Sequence, residues 1–505
     1  MTPDPIDLET AASEKTAGVS ERQGSGWDIR NAPKNYLALI IFQVASSAFS
    51  FGAIWLITRH LGEEGYGAIV AVIAASQVAQ VLVNWTSAAV VRFGVDEFIE
   101  TGKIARTFWV RSIMVVANLI LAVALSPLWF EPLAGWLKLG TGSFALVMAH
   151  FVVTVFWIHI QMSLQAAKLP RAQGFLMMVE RFIIFAGVLA LTVAVSLTPF
   201  GAIVFYIAAP GLMIFWGLYQ LRKYIFAGFS IDRAFVFKII AYSLPLLPMS
   251  LVGYFSGSYV DAVFVTKFLS VGELGVYSLA TQMNGIVLQV PTLVNALLTP
   301  FFVTLDNEEA SNKVNRYFTS ALPNVTLAWG ALCTLAAIGS YFLIPLIFGV
   351  NFSAAGTPLW ILLTSSVMAI PILCGYAALT HARSVTSVAA IATTLSAVVN
   401  ILLNFLLIPR FGMAGCAWAT VAAYLVCNIG FAVLLRILVK MPVSWVYLSI
   451  LPNLCGTLVF SLTANVWLAI IVAFGLFALV VMLKWRSVGE GVEIIKRLVR
   501  PEVSA

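Results

Sequence analysis

The chain has 505 residues, of which 61% are hydrophobic and only 10% charged, whereas about a quarter of the residues of an average soluble domain are charged. This composition excludes a soluble enzyme and predicts an all-α polytopic membrane protein. The formal net charge of +7 is explained by the membrane topology described below, so it does not indicate a nucleic-acid partner.

Apolar segments of about 20 residues, the length needed to cross about 30 Å of hydrocarbon, follow one another from residue 36 to residue 484. We predict fourteen transmembrane helices, and the connections between them are too short to contain a catalytic domain. The expected spans are 36–57, 67–91, 108–129, 143–164, 175–197, 200–220, 243–265, 276–303, 323–347, 357–379, 385–408, 412–438, 444–463 and 465–484.

The helices divide into two lobes. Residues 1–35 are polar and are expected to form a disordered cytoplasmic tail, and helices one to six form an N-terminal lobe over residues 36–221. Segment 222–242 mixes apolar and charged residues, which predicts a cytoplasmic interfacial linker helix. Helices seven to twelve form a C-terminal lobe over 243–440, two extra helices cover 441–484, and residues 485–505 form a second cytoplasmic tail.

The orientation follows from the basic residues, because Lys and Arg accumulate on the cytoplasmic side of transmembrane helices. With the amino terminus inside, most of the 29 Lys and Arg residues fall in cytoplasmic segments. The outer loops then contain only Arg59, Lys138, Lys267 and Arg410. We therefore expect both termini to be cytoplasmic.

Two short internal repeats support the division into lobes. Thr58, Arg59 and Leu61, followed by Gly67, recur as Thr266, Lys267 and Leu269, followed by Gly275. Phe200-Gly201 before one helix recurs as Phe411-Gly412 before another, at nearly the same offset along the chain. Membrane proteins built from related halves usually enclose a central pathway with the substrate site between the halves. The repeats are therefore a first indication of transport.

Four ordered segments resemble the oligosaccharide flippases of bacterial polysaccharide export, in the superfamily that also includes the multidrug and toxin extrusion transporters and the lipid II flippases. The segments are RHLGEEGYG at 59–67, AVVRFG at 89–94, Asp261 through VYSLA at 276–280, and IPRFGMAG at 408–415. The resemblance implies two pseudo-symmetric six-helix bundles around a V-shaped cavity, plus two C-terminal helices.

The resemblance also implies a function and a location. The chain would move an undecaprenyl-diphosphate-linked oligosaccharide from the cytoplasmic to the outer leaflet of the bacterial inner membrane, by alternating access, for lipopolysaccharide or exopolysaccharide synthesis. Membrane lipids, a polysaccharide polymerase and export machinery are the implied partners. No cofactor is expected.

A flippase for a diphosphate-linked glycan needs cations and hydrogen-bonding groups in its cavity, and a basic residue at a helix centre costs about 2.5–3.5 kcal/mol to insert. Arg92 is the first candidate, because it ends predicted helix two below a polar face. A guanidinium binds phosphate oxygens in bidentate fashion. The alternative role of Arg92 is that of an interfacial anchor. The polar face consists of Gln77, Gln80 and Asn84.

Two further groups of cations are candidates for the diphosphate. Arg181 lies near the start of predicted helix five with Lys168 and Arg171 just before it, which suggests a contact at the cytoplasmic entrance. Arg59 and Lys267 of the repeat could receive the diphosphate on the outer side. Topological anchoring is the alternative for each.

Asp261 and Glu180 are the candidates for ion coupling. Asp261 is the only acid in predicted helix seven. Its carboxylate is expected either to bind Na⁺ or H⁺ or to pair with Lys267. Glu180 is adjacent to Arg181. No phosphate-binding G-x-x-x-x-G-K-[ST] loop occurs in the sequence, so the membrane potential or an ion gradient is the expected energy source.

Three other functions are alternatives to a flippase. A cation-coupled multidrug efflux pump with the same fold should line its N-terminal cavity with acids, yet residues 36–91 contain only Glu63 and Glu64. A membrane-embedded glycosyltransferase, polymerase or ligase would need a substantial catalytic loop, which the sequence lacks, so the chain is not expected to be an enzyme. A non-transporting scaffold remains an alternative if the arginines serve only topology.

Overall fold

The computed structural model describes residues 32–226, 232–244, 258–303, 314–383, 385–442 and 444–490. These residues form helices joined by short connections, and none of them forms a strand, which confirms the predicted all-α class. Residues 1–31 and 491–505 of the two predicted tails lie outside the described residues. Residues 32–35 and 485–490, which were also assigned to the tails, are helical.

We number the α-helices of the described residues in chain order. Two π-helical turns, Tyr317–Ala321 and Ile372–Tyr376, and a 3₁₀ turn, Val350–Ala355, adjoin them. The helices are α1 (Ala32–Ala79), α2 (Val81–Asn84), α3 (Ser87–Thr101), α4 (Ala105–Ala124), α5 (Ser126–Trp136), α6 (Ser143–Ala166), α7 (Pro170–Ala194), α8 (Pro199–Ile225), α9 (Arg233–Ser243), α10 (Ser258–Phe268), α11 (Val271–Val303), α12 (Leu322–Phe348), α13 (Gly356–Pro371), α14 (Ala377–Ala382), α15 (Thr386–Val439), α16 (Val446–Thr463) and α17 (Val466–Leu483).

Helices α1 and α15 are each too long for a single membrane crossing. They have 48 and 54 residues, and at about 1.5 Å per residue a straight helix of that length would be more than twice as long as the bilayer core is thick. Each contains one glycine with positive φ, Gly62 at 66° and Gly412 at 59°, a conformation that glycine adopts without a steric penalty. The chain turns at these glycines, where the sequence predicts the ends of helices one and eleven.

Ten helical stretches of the described residues are long and apolar enough to cross a membrane, and two of these contain the turns at Gly62 and Gly412. The number of fourteen crossings stays a prediction. We call the end of the bundle that contains these two glycines the outer end, and the opposite end the inner end, after the orientation predicted from the basic residues.

Predicted helix two continues further than the sequence suggested. Helix α3 runs from Ser87 to Thr101, and Gly102 ends it in the left-handed conformation with φ 71°. Arg92 therefore lies within a helix, and its prediction as a helix end was wrong. Glu97 contributes to the extension, because its carboxylate accepts two hydrogen bonds of 2.8 Å from backbone N–H groups at the start of α4.

The linker also differs from its predicted bounds. Helix α8 continues to Ile225, and the linker helix α9 begins only at Arg233. Phe235 of α9 packs edge-on against Phe93 of α3 at a ring separation of 5.7 Å, and the Lys238 ammonium lies 5.1 Å from the same ring. The linker helix is thus docked on the N-terminal lobe.

The two lobes contact each other closely at the outer end through the repeated glycines. A Cβ atom on Gly67 would lie 1.9 Å from the Val271 carbonyl oxygen, and one on Gly275 would lie 2.2 Å from the Glu63 carbonyl oxygen. Any side chain would therefore separate the backbones of α1 and α11. The repeat has the same local structure in both lobes, since Thr58 and Thr266 each donate to a carbonyl one turn earlier, at 2.8 and 2.7 Å.

The repeated cations reinforce this contact in a reciprocal manner. Arg59 of the N-terminal lobe donates through Nε to the Ile347 carbonyl at 2.7 Å and also to the Leu346 carbonyl, at the end of α12, where carbonyl groups lack helical partners. Lys267 of the C-terminal lobe places its ammonium 3.4 Å from the ring centroid of Trp136 in the N-terminal lobe. Each lobe thus extends one repeat cation onto the other.

Helix α16, the first of the two extra helices, packs against the C-terminal lobe. Asn453 donates to Thr334 Oγ1 of α12 at 3.0 Å, and Thr457 shares a hydrogen bond of 2.7 Å with Thr364 of α13. Such hydrogen bonds help to hold transmembrane helices together, because lipid tails are as apolar as the helix surfaces and the hydrophobic effect does not drive the helices to associate. Helix α17 packs in turn on α16 and α12.

Candidate functional site

A cavity of about 520 Å³ lies between the lobes. Four helices of the N-terminal lobe line it, α1, α6, α7 and α8, together with α10 and α11 of the C-terminal lobe. Its position agrees with the expectation that related halves enclose a central site.

Arg181 faces this cavity beside an acid and an indole. One of its terminal nitrogens lies 3.9 Å from Glu180 Oε1, and Glu180 Oε2 accepts a hydrogen bond of 3.0 Å from Trp157 Nε1. The Glu180 side chain is 9% exposed, whereas that of Arg181 is 40% exposed, because the guanidinium reaches into the cavity. The neighbouring carboxylate reduces the local net charge. At a separation of 3.9 Å it does not occupy the guanidinium donors, so these remain accessible to a ligand.

Arg181 lies deeper than the sequence predicted. Helix α7 begins at Pro170, so Arg181 is near its middle and not at the cytoplasmic entrance. Arg171 is exposed in the first turn of α7, and Lys168 precedes the helix with φ 54°. Ten residues of helix separate Arg171 from Arg181, which is about 15 Å. The structure therefore does not bring Lys168 and Arg171 to the cavity.

Neutral polar groups and aromatic rings line the cavity together with aliphatic side chains. Gln77 is the one member of the predicted polar face of helix two that lines it. His150 also lines it and shares a hydrogen bond of 2.5 Å with Ser76. The other neutral polar and aromatic residues of the lining are Gln43, Ser46, Ser47, Ser50, Phe51, Tyr66, Thr154, Trp157, Tyr206, Tyr259, Gln282 and Gln289.

Arg92 and the repeat cations lie away from the cavity. Arg92 forms an ion pair of 2.5 Å with Asp96, one helical turn further along α3, and the two side chains are 56% and 46% exposed. Exposed pairs of this kind contribute about 0–1 kcal/mol to stability. Arg59 and Lys267 are engaged in the contacts between the lobes described above.

Gln80 and Asn84 point into the N-terminal lobe instead of the cavity. Both are buried, and Asn84 donates to Gln80 Oε1 at 3.3 Å. Arg111 of α4 donates to Asn84 Oδ1 at 3.4 Å and is itself only 1% exposed. The sequence assigned no role to this buried arginine, since it lies near the start of an apolar helix where a topological charge is expected.

Asp261 lies at the centre of a buried cluster in the C-terminal lobe. Its Oδ1 accepts from Asn404 Nδ2 at 2.9 Å, and its Oδ2 accepts from the hydroxyl groups of Tyr277 at 3.1 Å and Thr420 at 3.3 Å. Asn404 Nδ2 also lies 3.1 Å from Asn400 Oδ1. Lys267 contacts Trp136 instead of Asp261. Three donor groups on α11 and α15 thus satisfy one buried carboxylate of α10, and this carboxylate is the group of the cluster that a proton or a small cation would bind.

The sequence of the cluster held a partial signal. Asn400 and Asn404 are one helical turn apart in an apolar helix, a spacing that places both on one face. Only the tertiary structure shows that this face meets Asp261.

Comparison with known proteins identifies the family. Residues 32–306 match the model of the polysaccharide biosynthesis proteins, which is more than half of the chain, and the chain belongs to that family. The probable low-salt glycan biosynthesis flippase Agl15 of Haloferax volcanii is 20% identical over 395 residues, which is 78% of this chain and 81% of that protein. The probable flippase AglR of the same organism is 24% identical over 39% of this chain and 43% of its own.

Solved structures share the fold of this chain. The lipid II flippase MurJ in an inward closed conformation has a TM-score of 0.64 at 15% identity, over 88% of this chain and 99% of its own. An inward-facing multidrug resistance transporter of the MATE family has a TM-score of 0.57 at 14% identity, over 80% of this chain and 100% of its own. The predicted family resemblance and fold are confirmed. These relatives are flippases and transporters, and the chain is accordingly not an enzyme.

Proposed function

We propose that the chain is a flippase that moves an undecaprenyl-diphosphate-linked oligosaccharide from the cytoplasmic to the outer leaflet of the bacterial inner membrane. The observation that carries the proposal is Arg181, a cation at the middle of a transmembrane helix that faces a polar cavity between two lobes. A cation at this depth is costly unless a cavity solvates it or a ligand pairs with it. The family match and the relatives named as flippases support the assignment.

Arg181, and not Arg92, is the proposed contact for the diphosphate. Its guanidinium can form two parallel hydrogen bonds to phosphate oxygens, while the glycan occupies the polar cavity and the prenyl chain remains in lipid. Net outward movement of negative charge is favoured by an inside-negative potential, by about 2.3 kcal/mol per charge per 100 mV.

The Asp261 cluster is the proposed coupling site. A Na⁺ ion or a proton bound there would change the charge of the C-terminal lobe near α10, the helix that also places Tyr259 in the cavity. Ion binding and cargo binding would then bias the same helix. Glu180 is a second proposed coupling group, because cargo bound to Arg181 would compete with the Glu180 carboxylate for the guanidinium.

The test compares single variants in proteoliposomes that contain a fluorescent polyprenyl-diphosphate oligosaccharide. Loss of a hydrogen bond to a charged group costs about 1.5–3 kcal/mol, so Arg181→Gln should lower the flipping rate by roughly tenfold or more. Arg92→Gln is the matched control, since it removes an exposed arginine outside the cavity, and it should retain the wild-type rate. Equal rates for wild type and Arg181→Gln, in protein that inserts normally, would refute the assignment.

A further inference from the structure

We infer that the cavity selects glycans without acidic sugars. The inference rests on the proposed function and concerns the chemistry of the cargo held between the lobes. Within the part of the chain that the structure describes, Glu180 and Arg181 are the only Asp, Glu, Lys or Arg residues that line the cavity. Their formal charges cancel, so the lining has no excess of positive charge.

The sequences of the lining helices agree with this observation. Lys, Arg, Asp and Glu are absent from 36–58, 67–91, 139–167, 182–221, 258–260 and 276–303. Among the described residues that line the cavity, the guanidinium of Arg181 is therefore the only cation, and the diphosphate of the carrier requires it. No second cation is left for a carboxylate on the glycan.

The remaining lining groups suit neutral sugars. Glutamine offers both hydrogen-bond donors and an acceptor, and serine and threonine hydroxyl groups do the same, so these residues match sugar hydroxyl groups, which also donate and accept. The rings of Trp157, Tyr206 and Tyr259 provide apolar faces with a polar edge, which fit the apolar faces of pyranose rings. These groups can also donate to a carboxylate, but they carry no positive charge that would balance it.

Glu180 discriminates against an acidic glycan directly. Its carboxylate is held in place by Trp157 and is 9% exposed, so it cannot rotate away into bulk water. A uronic acid in the cavity would add a second carboxylate to a site of low dielectric, where like charges repel more strongly than in water. Glu180 is therefore a specificity-determining residue in addition to its proposed part in coupling.

The experiment uses two lipids that differ only in the oxidation state of one carbon atom. Both carry a trisaccharide on the same polyprenyl diphosphate, one with glucose and the other with glucuronic acid at the same position. The full chain is reconstituted in proteoliposomes, and the initial rate of appearance in the opposite leaflet is measured for each lipid. We expect the neutral lipid to be transported at least about tenfold faster, a ratio that corresponds to a difference of about 1.4 kcal/mol.

Variants of two glutamates identify the cause. Glu180→Gln keeps an acceptor for Trp157 and leaves the cavity with a net positive charge, so the ratio of neutral to acidic transport should fall by at least about fivefold, as expected for loss of about 1 kcal/mol of repulsion. Glu131→Gln, at an exposed position of α5, removes the same charge away from the cavity and should preserve the ratio.

Equal wild-type rates for the two lipids would overturn the inference and leave the proposed function standing. A wild-type preference that Glu180→Gln does not reduce would overturn the role of Glu180 in selection. Transport of neither lipid would overturn the proposed function and the inference with it.

Discussion

Replacing Gly67 with alanine is expected to open the outer end of the protein. The new Cβ would lie 1.9 Å from the Val271 carbonyl oxygen, about 1.6 Å short of the optimal separation of about 3.5 Å between non-bonded heavy atoms. The clashing atom belongs to the backbone, so no side chain can rotate to relieve it, and the two helices must separate. Overpacking costs about 1–3 kcal/mol. The closed state alone bears this cost, so its population relative to the open state should fall by about 5- to 150-fold.

Distances between spin labels at the outer end would measure this shift. Phe200 and Phe411 start equivalent helices of the two lobes and are each 62% exposed, so a cysteine at each position can be labelled in a variant without the native cysteines. Pulsed dipolar spectroscopy in lipid nanodiscs should show a larger population of long distances in Gly67→Ala than in the parent. Gly275→Ala should act in the same way, because its Cβ would lie 2.2 Å from the Glu63 carbonyl oxygen.

Gly140→Ala provides the control for this experiment. Gly140 lies in the connection before α6 at the outer end, and a Cβ there would meet no atom within 4 Å. Its distance distribution should match that of the parent. Identical distributions for Gly67→Ala and Gly140→Ala would refute the view that the glycine contact holds the outer end closed.

Two further predictions concern the coupling site and the cavity. Asp261→Asn keeps an oxygen acceptor for Asn404 but removes the charge, so flipping should lose its dependence on an imposed Na⁺ or pH gradient. The flipping rate is measured with and without each gradient, and a dependence that persists in the variant would contradict the coupling role. Gly285 lines the cavity, and a Cβ there would meet no atom within 4 Å. Gly285→Trp should therefore lower the flipping rate by about tenfold or more, because the indole occupies volume that the cargo needs. The melting temperature should change by less than about 4 °C, a shift that corresponds to a stability change of about 1 kcal/mol in a smaller soluble domain. A normal rate in this variant would place the cargo path elsewhere.

The fold was largely predictable because its determinants are local. Apolar segment length and the positions of glycine identify the helices, and the repeat around Gly67 and Gly275 indicates two related lobes. The boundaries that failed depend on tertiary contacts. Helix α3 continues past Arg92 because Glu97 caps the start of the next helix, and such a contact has no signature in the sequence of α3 itself.

The candidate site was predictable only in part. The sequence indicated Arg181 as one of three neighbouring cations near a helix start, and Asp261 as the only acid of an apolar segment, where an ionisable residue is costly. Lys168 and Arg171 are close to Arg181 in sequence, but 3.6 residues per turn and a helix start at Pro170 place them far from it. Arg92 and Arg111 both lie near an end of a predicted helix, and that position does not show which face of the helix a side chain occupies. The structure places Arg92 on an exposed face and Arg111 inside the lobe.

The reciprocal cation contacts at the outer end also bear on how abruptly the protein changes state. Arg59 reaches from the first lobe to the second, Lys267 reaches from the second to the first, and the two glycines lie between them. A rotation of the lobes that withdraws one cation would also withdraw the other and break the backbone contact at the glycines. We therefore expect the outer end to separate cooperatively, because the duplication of the chain places all of these contacts on the same interface.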